Sequence, residues 1–154
     1  MKLKFIVPLL LLLAIQFIRI DYSHPPIDPS KDFQTIAQPP AEVMSTLKSA
    51  CYDCHSYETR YPWYSQVAPV SWWLGNHIRE GREHLNFSTI GNLDAEDLRH
   101  QMEEAAENIR EKEMPLKSYT WAHADARLSD TQRALLAQWL AHFVPASSGW
   151  GSTE

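Results

Sequence analysis

The sequence predicts an all-α domain preceded by an apolar N-terminal helix. Two observations carry this. Apolar residues recur at helical spacing in separate stretches that start on capping residues, and nowhere do they alternate as a half-buried strand would. The length, 154 residues with 44% hydrophobic and 21% charged, suits one globular domain.

The first element is an apolar run from Phe5 to Ile18, interrupted by Gln16 and flanked by Lys2, Lys4 and Arg19. Fourteen residues rise about 21 Å as a helix, against a hydrocarbon core of roughly 30 Å. That is the length of a signal-peptide apolar region, yet Ile20-Asp21-Tyr22-Ser23 offers no small-residue cleavage pattern. The flanking cations can snorkel to both interfaces and lengthen the span. Residues 1–20 are therefore expected to anchor the chain uncleaved, with a cleaved signal peptide as the alternative. The lysines would stay in the cytoplasm and the domain outside, periplasmic or otherwise extracytoplasmic. No cysteine closes the apolar run, which excludes a lipid anchor there.

Residues 21–38, with Pro25, Pro26 and Pro29, read as an extended tether. The domain proper is expected over residues 39–145. Pro39-Pro40 can set the first turn of a helix in which Val43, Met44 and Leu47 form a stripe leading to Cys51. From Arg60 to Trp73 two prolines punctuate an aromatic cluster, which predicts a loop and then a helix start. His77 to Leu85 continues as helix, weakened by Gly81. Asp94 caps a helix from about Ala95 to Lys112 whose buried face is Leu98, Met102, Ala105 and Ile109; Met114-Pro115 ends it. Ser129 and Gln132 form a capping box for a last helix, Asp130 to Phe143, with the stripe Leu136, Trp139, Leu140 and Phe143. Residues 146–154 are expected to be a disordered tail.

Charge excludes one class of partner. All 19 acidic residues lie beyond residue 20, where 11 basic ones remain, a net of −8. Phosphate backbones need Lys and Arg in place of their counterions, so nucleic acid is not expected to bind.

The chemistry concentrates in Cys51-Tyr52-Asp53-Cys54-His55. Covalent haem attachment needs two thiols within reach of the two vinyl groups of one porphyrin, and an imidazole under the iron. C-x-x-C-H supplies all three in five residues. Cys51 and Cys54 are the expected thioether donors and His55 the proximal iron ligand of one covalent haem c. These are the chain's only cysteines. A thiol-disulfide site would want a βαβ context, and zinc would want two more ligands at pair spacing; neither is present.

For the opposite face of the iron the leading candidate is Met114, held before Pro115. Its order in the chain, after the proximal motif and before the last helix, is that of small class I cytochromes c. His77 and His84, seven apart on one helix face, are the alternatives, and an open or water-bound position is the third. Met102 and Met44 sit on core stripes. Tyr61, Trp63, Tyr64, Trp72 and Trp73 are expected to wall the haem. Arg60, Arg79 and Arg82 are candidate propionate partners, with solvated surface charges as the plainer reading. The run Glu103 to Glu113 reads as a solvated face, or as a dock for a basic partner.

The motif, followed by Tyr57 to Arg60, Tyr61 to Ser65, Ala68 to Trp72, His77 to Ser88, Glu113-Met114-Pro115 and Ser118-Tyr119, resembles the bacterial haem-binding domain family. The resemblance runs from about Pro39 to Phe143. It implies a monohaem, cytochrome c-like domain near an N-terminal hydrophobic segment, with Cys51, Cys54 and His55 binding the haem. A protein so built is expected to carry single electrons between exported or membrane-bound redox proteins and to be no enzyme. The alternative is a haem-based sensor or small peroxidase with an open distal site.

Overall fold

The computed structural model describes residues 3–143 and holds, in order, α1 (Leu3–Ile15), α2 (Phe33–Ala37), α3 (Ala41–Ala50), α4 (Tyr52–His55), α5 (Val70–His84), α6 (Ala95–Arg110), α7 (Lys117–Ala122) and α8 (Asp130–Ala141). No strand occurs among these residues. The all-α expectation is met. The tail expected at residues 146–154 lies outside the described residues.

Caps place the helices where the sequence put them. The Asp94 carboxylate accepts from the backbone N–H of Glu96 and Asp97 to open α6, and Ser129 with Gln132 closes the full capping box of α8. The two helices pack face to face. Leu98, Met102, Ala106 and Ile109 of α6 and Leu136, Ala137 and Leu140 of α8 are buried, each large side chain contributing about 1.5–3 kcal/mol of transfer free energy. Ala106, rather than Ala105, completes the α6 stripe; Ala105 is only half-buried. Val43 and Leu47 of α3 complete the same core.

Two connections are fixed by single side chains. The Arg133 guanidinium on α8 donates to the carbonyls of Ile109 and Met114, the latter at 2.8 Å. It therefore holds the end of α6 and the turn that follows it. Arg82 on α5 donates to the Ser56 carbonyl and the Thr59 hydroxyl, both at 2.9 Å, and pins the loop after α4.

The stretch read as an extended tether is not free along its length. Phe33 is fully buried against Phe87, Trp139 and Phe143, and Asp32 caps α2 through the N–H of Gln34. The packed body thus begins before residue 39, because one aromatic side chain in a polar run finds the core. Further upstream, α1 is an exposed apolar rod of 13 residues, about 20 Å long. No helix among the described residues is long and apolar enough to cross a membrane.

Candidate functional site

The five-residue motif is folded by its two middle residues. Tyr52 turns into the core and stacks on Phe87, centroids 5.0 Å apart and planes 6° from parallel. Asp53 is buried and accepts four hydrogen bonds. They come from the Arg60 backbone N–H at 2.9 Å, from Arg60 Nε and Nη2 at 3.1 Å each, and from the Tyr119 hydroxyl at 2.6 Å. With Tyr52 and Asp53 anchored on the protein side, Cys51, Cys54 and His55 are left lining a shared cleft. The spacing of the motif gave no hint of Asp53 or Tyr119; a carboxylate inside C-x-x-C-H followed by an arginine seven residues on is the only trace they leave.

His55 is oriented. Its Nδ1–H donates to the Leu85 carbonyl at 3.0 Å, so Nε2 is the nitrogen left to coordinate. Burial holds the imidazole below its ordinary pKa, in the neutral form a metal requires. The cysteines are free thiols. Burial pushes Cys51 up to about 12 and Cys54 up to about 11, so both are protonated at neutral pH.

Gly81 of α5 sits directly on this turn. A Cβ there would come within 3.0 Å of the Cys54 carbonyl oxygen and 3.4 Å of its Cβ. The substitution Gly81→Val is therefore expected to lower the yield of haem-loaded protein severalfold relative to wild type, measured as haem absorbance per chain. An unchanged yield would show that α5 gives way freely.

The cleft encloses about 430 Å³, within the usual range for a cofactor pocket. Leu47, Phe87, Ile109, Leu116 and Leu140 give it apolar walls. Met114 and Pro115 border it, as do His77 and His84 from α5. The structure thus gathers Cys51, Cys54, His55 and Met114 around one space, together with both alternative histidines. Among the described residues no group of three or more His, Cys, Asp and Glu is placed to hold a bare metal ion. Two thiols and one free imidazole nitrogen facing a largely apolar slot fit a flat, metal-bearing macrocycle. A family model described as the haem-binding domain matches residues 10–142. The chain belongs to the haem-binding domain family. No curated protein and no solved structure matches it.

In this haem-binding domain two expected parts of the site lie elsewhere. Tyr61, Trp63, Tyr64, Trp72 and Trp73 do not border the cleft. Trp72 Nε1 donates to the Ile18 carbonyl, Tyr61 packs edge-on against Tyr22, the Tyr64 hydroxyl is bonded to His123 Nε2, and Trp63 and Trp73 are exposed. The wall is mainly aliphatic instead, with Ile109 of α6 and Leu140 of α8, and its aromatic members are Phe87 and Tyr119 from outside the predicted cluster. The arginines are also committed. Arg60 is spent on Asp53 and Arg82 on Ser56 and Thr59, while Arg79 bonds Glu83 and Asn76. Among the described residues no lysine or arginine lines the cleft; Glu80, Glu104 and Glu113 do.

Proposed function

We propose that this domain holds one haem covalently, through thioethers from Cys51 and Cys54, and that His55 Nε2 and the Met114 thioether would ligate its iron. Its role is to pass single electrons between redox proteins, with no catalysis of its own. The observation that carries the reading is His55, pinned by Nδ1 to the Leu85 carbonyl beside two free thiols in one apolar cleft. Cys51 and Cys54 would each add S–H across one vinyl group, sulfur to one carbon and hydrogen to its neighbour, with no oxidant consumed. Bound haem supplies a reversible one-electron iron couple.

Support for Met114 over His77 and His84 comes from which helix carries each. Leu85, which accepts the His55 N–H, caps the C-terminal end of α5, and Gly81 of α5 lies on Cys54. The helix bearing both histidines therefore backs the proximal side. Met114 stands on a separate connection, its carbonyl fixed by Arg133 and its N–H bonded to the Asn108 carbonyl. The alternative reading, a sensor or small peroxidase, draws on His77 and His84 at the cleft, but Arg79 and Arg82 are turned away from it.

The apolar N-terminal segment keeps the domain at the outer face of the cytoplasmic membrane. The test is the protein matured in a periplasm with the cytochrome c attachment machinery. Expected are haem that survives acid-acetone extraction, a low-spin spectrum in both oxidation states, and no rapid carbon monoxide binding by the reduced form. Extractable haem would overturn the covalent reading; fast carbon monoxide binding would favour the sensor or peroxidase.

A further inference from the structure

We propose that the domain is docked on the membrane surface in one fixed orientation, with the face bearing Trp63, Val67, Val70 and Trp73 resting among lipid headgroups. The inference rests on the membrane association proposed above and goes beyond it, from a domain on a leash to a domain seated flat.

The first observation is α1 itself. Its large side chains are exposed all round, Phe5 at 75%, Leu10 at 59% and Leu13 at 55% among them. A helix that is apolar on every side is buried whole, in a protein core or in a membrane; its own domain leaves α1 exposed, and lipid is the surround that fits the membrane association proposed above. At about 20 Å it is shorter than the roughly 30 Å of hydrocarbon it would enter. The polar Gln16 and Arg19 that follow it are costly to bury in hydrocarbon, so its exit stays at headgroup depth.

The second observation is a clamp at that exit. The Gln16 side chain makes a paired contact with Ala68, donating from Nε2 to the carbonyl at 3.0 Å and accepting from the N–H at 2.9 Å. Arg19 donates to the carbonyl and side chain of Gln66, Tyr22 to the Ser65 carbonyl at 2.6 Å, and Trp72 to the Ile18 carbonyl at 2.8 Å. Ile20 lies where a Cβ on Gly75 would meet it at 3.0 Å. The family match also begins at residue 10, inside α1, so this junction falls within the family's own extent.

Residues 63–73 thus receive the end of the apolar helix, and the same stretch exposes Trp63 at 80%, Trp73 at 47%, Val70 at 43% and Val67 at 42%. Tryptophan is the side chain enriched at the membrane–water boundary, where an apolar ring and a polar N–H are both satisfied. Arg19, beside the clamp, is free to meet lipid phosphates with the part of its guanidinium not used on Gln66.

The test uses the full-length haem-loaded protein in phosphatidylcholine–phosphatidylglycerol vesicles, with brominated acyl chains as a short-range quencher of tryptophan emission. Three proteins are compared by flotation and by the ratio of emission in brominated and ordinary vesicles. They are wild type, the pair Trp63→Phe with Trp73→Phe, and the pair Gln16→Ala with Tyr22→Phe. Expected is co-flotation of all three, a clear emission loss in wild type, little loss without the two tryptophans, and a reduced loss when the clamp is cut. Flotation with no bromine-dependent loss in wild type would overturn the docked orientation while leaving membrane association standing. Failure to float would remove both.

Discussion

Replacing Cys51 and Cys54 together by alanine is expected to abolish acid-resistant haem, from one per chain to none. The two single variants each keep one thioether and should retain haem at lower yield. The cause is local: both thiols border the same cleft, and the chain has no third cysteine to substitute. Because Tyr52 and Asp53 lock the turn from the protein side, the double variant should still fold. Its circular dichroism is expected to keep the helical signal while its visible absorbance is lost. Retention of acid-resistant haem in the double variant would remove the thioether assignment.

Replacing Met114 by alanine is expected to turn a low-spin ferric spectrum into a high-spin one and to open the reduced iron to carbon monoxide. Losing the thioether should also lower the midpoint potential, since methionine ligation favours the reduced state relative to water or histidine. The backbone around Met114 is held by Arg133 and Asn108 rather than by its side chain, so the substitution tests ligation more than folding. If the spectrum is unchanged, and His77→Ala or His84→Ala produces the conversion instead, the distal ligand is that histidine.

Much of this was legible in the sequence, for identifiable reasons. Helices α3, α6 and α8 announced themselves through stripes and caps, since Asp94, Ser129 and Gln132 satisfy orphan N–H groups by local chemistry that spacing alone reveals. That Cys51, Cys54 and His55 share one cleft was legible because the five-residue motif keeps them within a single turn of chain. What escaped was decided at long range. Phe33 sits in a proline-rich polar run, and only a contact with Phe87, far along the chain, makes it core. The tryptophans and tyrosines of residues 61–73 had the right composition for a haem wall, yet a pattern of aromatics does not say which side of α5 they occupy. The same holds for Arg60, whose partner was hidden within the motif itself.

The glutamates at the cleft bear on how readily a haem held there, as proposed, would take up an electron. Glu80, Glu104 and Glu113 border the cleft, with no lysine or arginine of the described residues in its lining, and a haem held there as proposed would have a negative surround that favours ferric over ferrous iron. All three side chains are solvent-exposed, so water and salt screen them and each shifts that balance only modestly. On the proposed ligation, this surround and the Met114 thioether would pull in opposite directions, and the working voltage would be set by their difference.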